Sequence, residues 1–264
     1  MKSALITGAA GGMGLAAAKR LLAEGYTVYA VDIREPEGLE GVAFIRADLT
    51  DPEAAKRLCA FLEEKGERLD CIVCMAGIYD LGSLVELDEE RIRRIFEVNL
   101  FASVRLIREL LPLLGEGGRI ALVSSELAPL DPLPFTGIYG ITKAAVEKYA
   151  FSLRMELQLL GYKVIVLRPG AVDTGLLGVS TRRLDEFVRD TRLYKCNAES
   201  FRRIVDGVEA RRIPPERVAD TLARALSARR PRYVYKLNRN PLLLLLNALP
   251  DGLQCRIISA ILKR

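Results

Sequence analysis

Short apolar runs alternate with segments of helical periodicity along most of this chain. Runs typical of buried strands occupy residues 2–7, 27–31, 42–46, 71–75, 119–123 and 163–167. Between them, apolar residues recur at helical spacing over residues 14–24, 52–65, 89–113 and 139–160. This alternation predicts βαβ units, and therefore an α/β fold with a parallel sheet and helices on both faces. No internal repeat or low-complexity linker interrupts the pattern, so 264 residues predict a single domain.

The pattern changes after Pro169. Residues 175–212 are rich in charge and carry helical patches at 184–192 and 198–208. Pro214 and Pro215 then open a predicted helix that ends near Ala228, and residues 232–237 form a last predicted strand. Residues 238–264 form a hydrophobic C-terminal extension, whose apolar runs are residues 242–246 and 257–262.

Composition removes several classes of function. The net charge is +5 with a pI of about 9.0, and basic residues are interspersed with acidic ones. A nucleic-acid binder needs a clustered basic face, so we expect no nucleic-acid partner. The chain has no histidine, which excludes Ser-His-Asp hydrolysis, histidine metal sites and histidine general bases. We expect no metal.

Cysteine usage predicts a reducing compartment. The five cysteines are irregularly spaced, and residues 2–6 already have a strand pattern, so we expect no signal peptide and a cytoplasmic protein. Cys71 and Cys74 have CxxC spacing. They lie inside an apolar strand and no second CxxC exists, so we interpret both as core residues.

A glycine-rich turn joins the first predicted strand to the first predicted helix. Glycine permits close backbone approach and a helix N-terminus attracts a pyrophosphate, so this position predicts a dinucleotide site. The strict GxGxxG spacing is not used. The residues of the turn that we expect at the cofactor are Thr7, Gly8, Gly11, Gly12, Met13 and Gly14.

Asp32 follows the second predicted strand. A carboxylate at this place accepts hydrogen bonds from ribose hydroxyls and repels a 2′-phosphate. Neither Gly11 nor Ile33 adds a basic side chain, so the sequence favours NAD. Arg34 keeps NADP open, because an arginine near the ribose can hold a 2′-phosphate.

Tyr139 and Lys143 are four residues apart and therefore share one face of a predicted helix. An ammonium near a phenol favours the phenolate, which predicts a lowered pKa for Tyr139 and proton exchange with an alcohol or carbonyl. Alone the spacing is weak evidence, since exposed helices often carry such a pair.

Six elements in this order resemble the short-chain dehydrogenase/reductase family, including its steroid and retinol dehydrogenase-like members. They are TGxxxGxG from Thr7 to Gly14, Asp48-Leu49, Asn99, Ser125, YxxxK at Tyr139 and Lys143, and PGxxxT from Pro169 to Thr174. The resemblance covers residues 2–237. It departs from the family where NNAG is replaced by Cys74-Met75-Ala76-Gly77. Ser124 remains an alternative active serine, although Ser125 is the better match.

The resemblance implies a Rossmann fold, a doubly wound parallel sheet in three α/β/α layers within one domain over residues 1–264. It implies that Tyr139 exchanges a proton, while Lys143 lowers its pKa and holds the nicotinamide ribose. Ser125 is implied to bind the substrate oxygen, and Asn99 to position Lys143. Beyond the glycine turn and Asp32, the implied cofactor contacts are Ile33, Asp48, Leu49, Ala76, Gly77, Tyr139, Lys143, Pro169, Gly170, Val172 and Thr174.

Residues 175–212 follow PGxxxT and are expected to form a substrate lid. The length of this segment suits a small-molecule substrate that is bulky and hydrophobic, such as a steroid, retinoid or lipid alcohol. The alternatives are a 3-oxoacyl-carrier reductase and a non-catalytic dinucleotide-sensing scaffold. An epimerase or dehydratase is disfavoured, because those relatives have a larger C-terminal domain.

Two interpretations of residues 238–264 stay open. The apolar runs either cover the core or a subunit interface, or they form a peripheral membrane contact supported by the basic residues around them. Neither run approaches the roughly 20 residues needed to span a bilayer. The family also implies a homodimer or homotetramer that pairs through the predicted helices 89–113 and 139–160.

Overall fold

A seven-stranded parallel sheet forms the centre of the protein, with strand order β3-β2-β1-β4-β5-β6-β7. The computed structural model describes residues 2–209 and 212–263. The strands are β1 Ser3–Thr7, β2 Thr27–Asp32, β3 Ala43–Arg46, β4 Leu69–Cys74, β5 Leu114–Val123, β6 Lys163–Pro169 and β7 Val234–Leu237. The predicted α/β fold, a doubly wound sheet in three layers within a single domain, is confirmed.

Helices cover both faces of the sheet. The α-helices among the described residues are α1 Gly12–Ala23, α2 Ala54–Glu64, α3 Glu89–Phe96, α4 Ala102–Leu110, α5 Gly137–Leu157, α6 Gly175–Asp190, α7 Lys195–Glu209, α8 Pro215–Ser227, α9 Pro241–Asn247 and α10 Asp251–Leu262. Helices α1 and α8 pack on one face, and α2, α4 and α5 pack on the other. The strands are buried on both sides, which explains why they are continuous apolar runs rather than alternating ones.

The two cysteines of the CxxC sequence belong to opposite faces of β4. Cys71 packs toward α1 and α8, whereas Cys74 packs toward α2, α4 and α5. Both are free thiols, and burial raises the pKa of each to about 12. Their interpretation as core residues is confirmed, because a buried neutral thiol is a poor nucleophile and a poor metal ligand.

The predicted helix 89–113 is interrupted. A π-helical turn, Glu97–Phe101, separates α3 from α4, and a short 3-10 turn containing Pro112 ends the segment. Strand β5 begins at Leu114, earlier than predicted, because Leu114 pairs with Leu69 before the register shifts toward Cys71. A single π-helical turn is too short to be recognised in an apolar periodicity that extends over the whole segment.

The segment predicted as a lid forms α6 and α7, which pack against the C-terminal extension. Their shared core contains Phe135, Phe187, Phe201 and Leu262, with the Phe135 ring 4.5 Å from that of Phe187. Residues 210–211 of the predicted lid, together with residues 1 and 264 at the predicted domain's ends, lie outside the described residues.

Two carboxylates attach this helical layer to the loop after β4. Asp80 is buried, accepts a hydrogen bond from Arg91 Nε at 3.1 Å, and lies 3.6 Å from Arg183 Nε on α6. Glu86 accepts hydrogen bonds from Thr191 Oγ1 at 2.7 Å and from the backbone N–H of Arg192 at 2.8 Å. The position of α6 is therefore fixed by charge-assisted bonds as well as by apolar packing.

The C-terminal extension folds back onto the protein as α9 and α10. Leu243 and Leu262 are buried, whereas Leu242 and Leu245 are 68% and 65% exposed. Asn197 Nδ2 on α7 donates to the carbonyl of Leu262 at 2.8 Å. Within residues 2–209 and 212–263, no helix combines the length and apolar character that a membrane crossing needs.

Candidate active site

A cleft of about 1630 Å³ opens at the carboxyl ends of the central strands. This edge is where a doubly wound sheet binds its ligands. The residues predicted from the sequence meet there, apart from Thr7 and Asn99, which do not line the cleft. Predicted residues on its wall are Gly8, Gly11, Gly12, Met13, Gly14, Asp32, Ile33, Asp48, Leu49, Ala76, Gly77, Ser125, Tyr139, Lys143, Pro169, Gly170, Val172 and Thr174.

The glycine turn packs too tightly for side chains at two positions. A Cβ on Gly14 would lie 2.0 Å from the carbonyl oxygen of Gly8. Gly8 has a φ of +69°, and a Cβ there would lie 2.8 Å from the backbone N of Ala76. Thr7 holds this contact from behind, because its Oγ1 accepts the N–H groups of Met75 and Ala76, each at 3.1 Å. Thr7 therefore supports the turn from within the sheet.

Helix α1 begins at this turn with no side-chain cap on Gly11 and no acidic residue in its first turn. A Cβ on Gly11 would meet nothing within 4 Å. The first N–H groups of the helix and its positive dipole end are therefore available to an anion, with space beside them. These features fit the pyrophosphate of a dinucleotide.

Asp32 is held at the end of β2 through both carboxylate oxygens. Its Oδ2 accepts the N–H of Ala10 at 2.9 Å, and its Oδ1 accepts the N–H of Arg34 at 3.2 Å. Asp48, at the end of the neighbouring strand, accepts hydrogen bonds from the N–H and hydroxyl of Thr50 at 2.9 and 2.7 Å. Two fixed carboxylates therefore flank the part of the cleft that suits an adenosine.

The two serines after β5 point in different directions. Ser124 Oγ donates to Glu147 Oε1 at 2.8 Å, and Arg168 Nε donates to the same oxygen at 2.6 Å. Ser125 instead hydrogen-bonds the Tyr139 side chain and accepts the N–H of Leu127 at 3.2 Å. The geometry therefore favours Ser125 over Ser124 as the serine beside the tyrosine.

Tyr139 is buried, with 9% of its surface exposed. Burial raises its pKa to about 12, and the hydrogen bond with Ser125 opposes that shift only in part. The lowered pKa predicted from Lys143 is therefore wrong for this structure, since desolvation of the phenolate is the largest influence on the pKa. A phenol of this kind is a proton donor at neutral pH.

Lys143 lies on the same face of α5 as Tyr139. Its Nζ donates to the carbonyl of Val123 at 3.1 Å and lies 5.7 Å from the centre of the Tyr139 ring. Burial lowers the pKa of Lys143 to about 8. The cation is thus held within the cleft by the last residue of β5, at the cost of removing it from water.

Asn99 lies in the π turn and clamps the loop after β4. Its Oδ1 accepts the N–H of Ile78 at 2.8 Å, and its Nδ2 donates to the Ile78 carbonyl at 3.0 Å and to Thr142 Oγ1 at 3.1 Å. Among the described residues, no hydrogen bond joins Asn99 to Lys143. Both side chains lie close to Gly77, since a Cβ on it would be 3.3 Å from Asn99 Oδ1 and 3.4 Å from Lys143 Nζ.

Among the cleft residues that were not predicted, Tyr79, Glu126 and Leu243 lie where they bear on the chemistry. The Tyr79 ring lies 4.8 Å from the Tyr139 ring, and Glu126 lines the cleft immediately after Ser125. Leu243 reaches the cleft from α9. Adjacency to Ser125 and Gly77 could have drawn attention to Glu126 and Tyr79, whereas no local signal marks Leu243.

Fold and cleft together define an NAD(P)-dependent oxidoreductase acting on CH–OH groups. A family profile described as short chain dehydrogenase matches residues 2–184, and the chain belongs to this family.

Two relatives align along nearly the whole chain. The NADPH-dependent 3-dehydrocapnine reductase of Ornithobacterium rhinotracheale is 28% identical over 100% of this chain and 98% of its own length. The 3-ketodihydrosphingosine reductase of Bacteroides thetaiotaomicron is 26% identical over 94% of this chain and 93% of its own length. A short-chain dehydrogenase structure from Streptomyces avermitilis has the same fold, with a TM-score of 0.76, 24% identity, and coverage of 98% and 95% of the two chains.

Replacing Lys143 with methionine is expected to stabilise the protein at pH 7. The wild-type lysine has a folded pKa of about 8, below its ordinary 10.5, so it opposes folding fully below pH 8 and progressively less up to pH 10.5. The substitution also removes the hydrogen bond to the Val123 carbonyl, so we expect a net gain of about 1–3 kcal/mol in the free energy of unfolding. Urea unfolding at pH 7 and pH 10 measures this gain.

The gain should shrink at pH 10, because the folded-state amine is then neutral and the pH lies close to the ordinary pKa of 10.5, so little of the cost of neutralising it remains. The exposed Lys148→Met serves as the matched control on the same helix and should show neither effect. A Lys143→Met protein less stable than wild type at pH 7 would contradict the account.

Proposed function

We propose that this enzyme interconverts a secondary alcohol and a ketone, or an alcohol and an aldehyde, on a bulky hydrophobic substrate. The observation that carries the proposal is the hydrogen bond between Ser125 and Tyr139 inside the cleft, with Lys143 beside them. A hydroxyl and a phenol held together can bind one substrate oxygen and exchange a proton with it. The cofactor, when bound, supplies or accepts the hydride.

Tyr139 is the proton donor in reduction and the acceptor in oxidation. Its pKa of about 12 keeps the phenol protonated at neutral pH, which suits protonation of a carbonyl oxygen. Ser125 orients that oxygen. Lys143 holds the cofactor ribose. Asn99 acts as a positioning residue, because its bonds fix the Ile78 backbone and the Thr142 side chain within α5.

We infer NAD as the preferred cofactor, held by the glycine turn, Asp32, Asp48 and the predicted contacts on the wall of the cleft. The N–H groups of Ala10 and Arg34 hold the Asp32 carboxylate in place, where it would repel a 2′-phosphate. The similar dehydrocapnine reductase is described as NADPH-dependent, so NADP is the alternative to test.

The substrate end of the cleft supports a hydrophobic molecule. Besides the polar pair, its wall includes Leu127, Leu133, Phe201, Ile204 and Leu243. Residues 175–212 act as the lid in this proposal. Similarity to a reductase of 3-ketodihydrosphingosine supports a lipid-like carbonyl compound.

Hydride transfer is tested at 340 nm with hydroxysteroids, retinols and long-chain secondary alcohols, each with NAD and NADP. We expect turnover of at least one class with higher kcat/KM for NAD. Tyr139→Phe should lower kcat at least about 100-fold, the usual contribution of a positioned acid or base, while the Kd for the cofactor stays within a few-fold. Wild-type activity in this variant would remove Tyr139 from the mechanism.

We propose a homodimer or homotetramer that forms through the π turn and α5. Phe101, Ile141, Phe151 and Met155 are exposed there, and large exposed apolar side chains typically mark an interface. Sedimentation velocity should show a species of two or four times 29.2 kDa. A monomer at micromolar concentration would rule out this interface.

We further propose that the C-terminal extension makes a peripheral membrane contact. Leu242 and Leu245 are exposed on α9, and Arg239 just before it is exposed as well, a combination that suits an anionic lipid surface. The full chain should float with anionic vesicles, and Leu242→Glu/Leu245→Glu should not. The control is Leu193→Glu, which alters an equally exposed leucine between α6 and α7. Flotation of the double variant would exclude this contact.

A further inference from the structure

Glu126 is a carboxylate in an otherwise largely apolar part of the cleft. It directly follows Ser125, lines the same cleft and is only 9% exposed. Its backbone N–H bonds the Pro169 carbonyl at 2.8 Å, which fixes the residue at the ends of β5 and β6. Burial raises the pKa of this carboxyl group. The proposed proton transfer does not use it.

The two oxygens of Glu126 have different surroundings. Oε2 accepts the N–H of Asn240 at 2.7 Å, at the start of α9. Oε1 lies above Gly170, where an added Cβ would be 2.8 Å away. Among the described residues, Oε1 accepts no hydrogen bond and is not fully enclosed by protein atoms. A carboxylate can accept several hydrogen bonds, so one oxygen tethers α9 while the other remains available.

The charge of Glu126 is only weakly compensated. Arg239 lowers the pKa of this carboxyl group, but its own side chain is exposed to solvent. Lys143 is committed to the carbonyl of Val123. A buried carboxylate without a close cation is costly unless a ligand supplies the charge.

Because Glu126 is next to Ser125 in the sequence, the place where the cationic group of such a ligand can lie is limited. Ser125 and Glu126 line the same cleft, and their Cα atoms are about 3.8 Å apart because the residues are adjacent. The carbon next to the carbonyl carries the substituent nearest to the oxygen held by Ser125 and Tyr139, and we assign that substituent to Glu126. A cationic amine there would form a charge-assisted hydrogen bond with Oε1.

We propose that Glu126 binds the ammonium group of the substrate, and that the substrate is a hydrophobic α-amino ketone or the corresponding vicinal amino alcohol. This inference rests on the proposed function for the position of the reacting oxygen. It adds a specificity-determining residue to that site and narrows the substrate class from hydrophobic alcohols in general to those that carry a neighbouring amine.

The first measurement is turnover of a long-chain vicinal amino alcohol and of the same alcohol without the amine. Wild type should prefer the amine through kcat/KM by roughly 10- to 100-fold, the usual range for a hydrogen bond to a charged group. Glu126→Gln should lose this preference and keep its activity on the amine-free alcohol within a few-fold. Glutamine retains an acceptor for the N–H of Asn240, so thermal unfolding should be unchanged.

The second measurement separates this inference from the proposed function. Titration calorimetry with octylamine and octanol reports binding without turnover, and wild type should favour the amine in a Glu126-dependent way. The exposed Glu116→Gln is the control for removal of one negative charge and should bind as wild type does.

The inference would be overturned if Glu126→Gln lowered kcat/KM equally for the amino alcohol and the amine-free alcohol. Equal binding of octylamine and octanol by wild type would also overturn it. Selective, Glu126-dependent amine binding without turnover of any alcohol would uphold Glu126 as the ammonium-binding residue and refute the proposed function, and with it the substrate class.

Discussion

The hydrogen bond from Lys143 Nζ to the carbonyl of Val123 joins α5 to the end of β5. Tyr139 lies one turn earlier on α5, and Ser125 lies just beyond the end of β5. Their hydrogen bond therefore requires that α5 and β5 keep this relative position. Behind them, Ser124 and Arg168 both bond Glu147, which ties α5 to β5 and β6 a second time. The polar pair of the cleft is therefore placed by buried contacts one and two turns further along the same face of α5.

Buried charge recurs around this site. Lys143, Asp80 and Glu126 are all buried, and each is held by at least one hydrogen bond. Placing charges in a dry site costs stability and is typical of residues retained for binding or chemistry. Asp80 recovers part of this cost through Arg91, whereas Lys143 and Glu126 have only backbone partners among the described residues. This difference separates an ion pair that anchors the lid helices from charges that face the cleft.

Much of this arrangement was predictable from sequence, because strands buried on both faces and glycines at a β–α junction leave local patterns. The spacing of Tyr139 and Lys143 likewise fixes their common helix face. Other features depend on distant contacts. The choice between Ser124 and Ser125 depends on their bonds to Glu147 and Tyr139, and Leu243 reaches the cleft from the far end of the chain. The pKa of Tyr139 was predicted in the wrong direction, because spacing reveals the nearby cation but not the burial that raises the pKa.

The central claim is that Lys143 is held as a buried, weakly basic amine beside Tyr139. NMR titration of the protein with 13C-labelled lysine side chains measures this directly, and Lys143→Arg assigns the signal. The account predicts one lysine signal with a midpoint near pH 8 that is absent from the variant. A Lys143 midpoint at or above about 10 would show a solvated ammonium and contradict the account.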